Sequence, residues 1–81
     1  MKKYEKLAIE ILEQVSETEG LEEDMDLNLF EAGLLDSLSV IAIIIQIEEK
    51  LGLVLEPTDF LREDIASVAS FATFLAKREA E

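Results

Sequence analysis

Ser37 is the residue of this 81-residue sequence whose type and setting could do chemistry. It follows Asp36 in the run Gly33-Leu34-Leu35-Asp36-Ser37-Leu38, where an acidic loop gives way to the apolar stretch Val40-Ile41-Ala42-Ile43-Ile44-Ile45-Gln46-Ile47. A hydroxyl at a helix start has two uses. It can cap the first free backbone N–H groups, or it can be the oxygen to which another group is joined. The chain has no histidine, so the commonest base for activating a serine is missing. Ser37 therefore reads as an acceptor acted on by another enzyme, not as a nucleophile in its own catalysis. Ser39, a second hydroxyl nearby, reads as a surface residue.

Other chemistry is poorly served. Cysteine is absent as well as histidine, which removes disulfides, thiolate chemistry and the commonest zinc ligands. Asp24-Met25-Asp26-Leu27-Asn28 opens like a calcium loop, but Leu29 stands where that loop needs glycine and Leu35 where it needs a bidentate glutamate. No metal site is expected.

Three main helices must position Ser37. Tyr4, Leu7, Ala8, Ile11, Leu12 and Val15 recur at the helical period and predict a first amphipathic helix, with Gly20 suited to its stop. A long loop, Thr18 to Asp36, follows; Leu21, Met25, Leu27, Leu29, Phe30, Leu34 and Leu35 should pin it to the core, and Gly33 should turn it towards the second helix.

The run Ser37 to Leu51 has the β-branched content of a buried strand. A capping serine, the continuation Glu48-Glu49-Lys50 and a closing Gly52 favour a helix instead. Its core stripe is Val40, Ile43, Ile44, Ile47 and Leu51. Ile41 and Ile45 fall outside that stripe, four and eight residues beyond Ser37, and are either core or an exposed docking patch with Ala42. A short helix is expected after Pro57, anchored by Phe60 and Leu61. Ser67 would cap a last helix with the stripe Val68, Phe71, Ala72 and Leu75, and Lys77 and Arg78 at its favourable end. The expected fold is all-α: one domain over residues 1–81, with three main helices, one short helix and a long loop after the first.

Composition limits the partners. Nineteen acidic against seven basic residues give a net charge of -12, which disfavours nucleic acid and anionic membranes and favours basic protein surfaces. The start Met1-Lys2-Lys3-Tyr4-Glu5 is not followed by the apolar stretch of a signal peptide, and the longest apolar run, Val40 to Ile45, is too short to span a bilayer. A cytoplasmic monomer is expected.

With Asp36-Ser37-Leu38, the long loop before it, the apolar helix after it and the short helix beyond Pro57, the chain resembles the acyl carrier proteins of the phosphopantetheine-binding carrier family over nearly its whole length. The resemblance implies that a phosphopantetheinyl transferase moves 4′-phosphopantetheine from coenzyme A to Ser37. The arm's thiol would then hold acyl groups as thioesters, loaded by acyl-activating or acyl-transferring enzymes of fatty-acid, polyketide or related biosynthesis. Free N–H groups at the helix start would favour the phosphodiester. Asp36 either caps the helix or helps present Ser37 with Mg²⁺ to the transferase, a role the family supports.

The partner-facing residues implied are Leu38, Ile41, Ala42, Ile45, Glu48 and Glu49. The helix departs from many fatty-acid carriers, because Ser39 and Ala42 stand where that subgroup has acids. The runs Gly33-Leu34-Leu35-Asp36-Ser37 and Pro57-Thr58-Asp59-Phe60 are similar to D-alanyl carrier proteins of teichoic acid modification, and also to stand-alone carriers of polyketide or nonribosomal pathways. The reading from another class is a helical adaptor with no cofactor.

Overall fold

Three α-helices and three short 3-10 turns form the described residues, 3–80, of the computed structural model, and no strand occurs among those residues. The helices are α1 (Lys3–Ser16), α2 (Ser37–Leu51) and α3 (Val68–Ala80), and α1 packs against both of the others. The basic start Met1-Lys2 lies outside the described residues.

The stripe on α1 is buried as its spacing predicts: Ala8, Ile11 and Leu12 are inaccessible to solvent, with Tyr4, Leu7 and Val15 packed at its margins. The helix stops before Gly20. Glu17 takes the left-handed conformation (φ 56°), and the Thr18 N–H donates to the Glu13 carbonyl at 3.2 Å, closing the helix end. Gly20, also left-handed, instead introduces the turn Leu21–Glu23, and the Glu13 carboxylate accepts from the Leu21 N–H at 3.1 Å.

The loop is pinned by its apolar residues. Leu21, Leu29 and Leu35 are buried, and Met25, Leu27, Phe30 and Leu34 are half-buried against the core. Backbone bonds tie it to the start of α3 and the residues just before it: Leu29 N–H to the Ala66 carbonyl at 2.6 Å and Ala69 N–H to the Met25 carbonyl at 3.0 Å. Gly33 makes the turn, with a φ of 78° that a side chain would resist.

The β-branched run is helical. Ile43 and Ile47 are fully buried while Val40, Ile44 and Leu51 pack partly, and Gly52 closes the helix by donating to the Glu48 carbonyl at 2.9 Å. At the surface Lys50 pairs with Glu10 at 2.8 Å, linking α2 to α1. The Lys50 hydrogen bond and charge hold the Glu10 carboxyl below its ordinary range.

The short helix expected after Pro57 is present as two 3-10 turns, Pro57–Asp59 and Arg62–Ile65. Two carboxylates compete to start it. Asp59 accepts from the Glu56 N–H at 2.7 Å and Asp64 from the Leu61 N–H at 2.8 Å, and Phe60 between them is extended (φ -148°). Each acid restarts the chain before a continuous helix can propagate. Phe60 is buried, edge-on to Phe74 with ring centroids 5.5 Å apart. Leu61 does not anchor this segment as expected; it is 63% exposed because the extended backbone turns it outwards.

Ser67 and Ser70 exchange side-chain to backbone bonds at 3.2 Å and start α3, which buries Val68, Phe71, Ala72 and Leu75. Arg78 reaches back and donates to the Asp59 carbonyl at 2.6 Å, so it ties α3 to the first of these 3-10 turns as well as sitting at the negative end of the helix dipole.

Glu22, Glu23, Asp24, Glu48 and Glu49 are exposed and have no ion-pair partner among the described residues. With a net charge of -12, self-repulsion should weaken the fold at low ionic strength. The thermal midpoint is expected to rise as NaCl increases from about 0.01 to about 0.15 M, where the screening length shortens from ~30 to ~8 Å. A midpoint that ignores salt would mean the acids do not repel one another measurably.

Candidate functional site

The start of α2 is built by Asp36. Its backbone is extended (φ -141°), and its Oδ1 accepts from the N–H groups of Leu38 and Ser39, each at 3.0 Å. Ser39 Oγ accepts in return from the Asp36 N–H at 3.1 Å. This is a reciprocal capping box. The cap is therefore Asp36, which takes one of the two roles open to it in the sequence, and not the expected capping serine; Ser37 is the first helical residue. The reason is reach: a carboxylate one residue outside the helix meets the second and third N–H groups, which Ser37 cannot do from inside the first turn.

Two consequences follow for Ser37. Its hydroxyl is exposed and makes no hydrogen bond to a described residue, so capping does not consume it. The expectation that free N–H groups at the helix start would favour a phosphodiester is narrowed, because Asp36 already occupies those of Leu38 and Ser39, and of the first three only the N–H of Ser37 itself donates to no such cap. Its carboxylate also places negative charge beside Ser37.

Ser37 stands on the wall of an open groove of about 290 Å³. Val40 and Ile41 of α2 form the same wall, and Phe30, Pro57, Phe60 and Arg62 line the remainder. The Arg62 guanidinium lies over the Phe30 ring, 4.1 Å from its centroid. An exposed, unbonded hydroxyl at a mostly apolar groove fits covalent attachment of a flexible, partly apolar group.

The outward face of α2 is apolar. Leu38, Ile41 and Ile45 are 80%, 48% and 50% exposed, which places Ile41 and Ile45 on the surface and not in the core. Ala42 lies half-buried among them, and Glu48 and Glu49 are exposed at the far end of the same face. The structure thus brings Ser37, Leu38, Ile41, Ala42 and Ile45 onto one side of one helix, with the two acids a turn further on.

Sequence reasoning missed Ser39, Phe30 and Arg62. The spacing Asp36-x-x-Ser39 is close to a capping-box pattern and could have revealed the first. Phe30 and Arg62 come together only through the loop's packing, so no local pattern marks them.

The resemblance to a calcium loop dissolves in the structure, since Asn28 Oδ1 is turned inwards to accept from the Phe30 and Glu31 N–H groups at 3.0 Å. Among the described residues no cluster of carboxylates is placed to hold a metal ion, and no helix is long and apolar enough to cross a membrane.

Comparison with known proteins finds a family and several relatives. Residues 9–75 match the family described as "Phosphopantetheine attachment site". A D-alanyl carrier protein of Listeria welshimeri is 37% identical over 67 residues, covering 83% of this chain and 86% of the relative. D-alanyl carrier proteins of Bacillus cereus and Bacillus anthracis are each 33% identical over 67 residues, covering 83% of this chain and 85% of the relative.

Proposed function

The chain belongs to the phosphopantetheine-attachment family, a family of carriers on which enzymes act rather than of catalysts, and from that premise we propose that Ser37 bears the arm and that its cargo is a D-alanyl group. The family's cofactor is 4′-phosphopantetheine, whose terminal thiol, once attached, holds an acyl group as a thioester. One observation carries the assignment to Ser37: its hydroxyl is exposed and unbonded at the first position of α2, while Asp36 does the capping. Attachment exchanges the Ser37 O–H bond for an O–P bond. The pyrophosphate link of coenzyme A breaks, the nucleotide half leaves, and the hydroxyl proton passes to a base of the transferase.

The cargo reading rests on the names of the relatives and on the departure of α2 from the acid-rich pattern of many fatty-acid carriers. To test it, the protein is converted with coenzyme A and a broad-specificity transferase, then given ATP, D-alanine and a D-alanine-activating enzyme. The expected result is a mass gain of one alanyl group that hydroxylamine removes. A modified protein that refuses D-alanine yet accepts a fatty-acyl group would contradict the cargo and leave the carrier function standing.

Partners dock on the outward face of α2. An apolar centre of Leu38, Ile41, Ala42 and Ile45 with Glu48 and Glu49 at its end suits an enzyme surface with an apolar recess and a basic margin. Ile45→Glu should lower kcat/KM for loading about tenfold, the loss of one central contact worth about 1.4 kcal/mol. Its thermal midpoint should stay near that of the parent, since Ile45 is half exposed. Unfolding of that variant would show that Ile45 is structural and end the docking role.

A further inference from the structure

A phosphodiester on Ser37 would begin its life next to a carboxylate. Asp36 Oδ1 accepts from the Leu38 and Ser39 N–H groups, so the helix start has little left to offer a second anion, and the rest of the chain is strongly acidic. Any cation the protein supplies to compensate it comes from elsewhere in the fold. Of the cationic side chains described, Lys50 is bonded to Glu10 and Arg78 to Asp59. Lys6 lies with Glu10 and Leu51 on the α1–α2 side, and Lys77 with Tyr4 and Ala72 on the α1–α3 side. Arg62 is the one that lines the groove on whose wall Ser37 stands.

Resting on the attachment of the arm at Ser37, we infer that Arg62 is the counter-charge of the phosphodiester, which it hydrogen-bonds so as to lay the first part of the arm along the groove. Three properties equip it. Its guanidinium has no ion pair or hydrogen bond among the described residues, so binding a phosphate breaks no existing bond. It is stacked on Phe30 at 4.1 Å, which restricts the side chain before the anion arrives and lowers the entropy lost on binding. Its planar fork matches two phosphate oxygens at once. Glu31 and Glu63 line the pocket on the other side of Arg62 but neither is bonded to it. Arg62 is a positioning residue: it touches the phosphate, and the reacting thiol lies far along the arm.

The test uses the wild type, Arg62→Gln and Arg62→Lys, each as apo protein and as holo protein verified by intact mass. Failure to gain the arm at all would sink the attachment reading, separately from this one. On the fully modified proteins, the phosphorus NMR resonance at low salt is expected to differ between wild type and Arg62→Gln, and the difference should close as NaCl approaches about 1 M. The holo-minus-apo thermal midpoint should be roughly 2–4 °C smaller in Arg62→Gln than in wild type, with Arg62→Lys retaining part of it. Taking holo minus apo cancels whatever the Arg62–Phe30 stack contributes to the fold. Identical phosphorus resonances together with identical holo-minus-apo midpoints in the wild-type and Arg62→Gln proteins would overturn the inference.

Discussion

A Ser37→Ala protein is expected to fold as well as its parent and to accept no prosthetic group at all. The two halves of that expectation have separate causes. Modification disappears because the oxygen that forms the bond to phosphorus is gone, and Ser39, whose Oγ is engaged with the Asp36 N–H and Oδ1 at 3.1 and 3.2 Å, offers no free hydroxyl in its place. Stability persists because Ser37 Oγ holds nothing together, while the capping box belongs to Asp36 and Ser39. Asp36→Ala is the contrasting variant. It strands the N–H groups of Leu38 and Ser39 and should cost about 1 kcal/mol, or roughly 4–8 °C in a chain of this size. Circular dichroism melts of the apo proteins read both. A midpoint loss in Ser37→Ala as large as that in Asp36→Ala would mean that Ser37, after all, is a cap.

The largest effect on stability should come from Phe71→Ala. Phe71 is wholly inaccessible and heads the large buried side chains. It lies on α3, which packs against α1 and against the turn Arg62–Ile65 that carries the groove-lining arginine. Truncating a buried phenylalanine costs about 3–5 kcal/mol through lost burial and the cavity left behind. A chain of this length has little more than about 5 kcal/mol in total, so the variant is expected to be largely unfolded, with no cooperative urea transition. A loss below about 1 kcal/mol would show that α3 is not part of the core described above. Because the same helix supports the groove, a partly folded Phe71→Ala protein should also be a poorer substrate for the transferase than Ser39→Ala, which leaves the core intact.

Much of this fold is legible in the chain, for reasons that differ by element. The α1 and α3 stripes are plain because each helix has one wet face, so spacing alone identifies the buried side. On α2 the same rule fails. A helix apolar nearly all round does not say which isoleucines face water, and only its packing on the rest of the core separates buried Ile43 and Ile47 from exposed Ile41 and Ile45. Beyond Pro57, Asp59 and Asp64 each capture a backbone N–H and divide what composition suggests is one helix into two turns.

At the site, Ser37 stands out through its neighbours in sequence. The division of labour between Ser37 and Asp36 does not, because adjacent Asp and Ser are both good caps and the choice turns on which of them is the first helical residue. The groove is invisible beforehand, since Phe30 and Arg62 meet only when the loop is fastened down by the bonds from Leu29 to Ala66 and from Ala69 to Met25.

The central claim is that one hydroxyl, that of Ser37, carries the arm. Its most direct test is the mass of the protein after incubation with coenzyme A, Mg²⁺ and a broad-specificity phosphopantetheinyl transferase, followed by peptide mapping of the product. A single phosphopantetheine is expected, found on the peptide that contains Ser37 and fragmenting to that residue. No mass gain with a transferase shown to be active on another carrier, or an addition that maps to Ser39 or to any other residue, would contradict it.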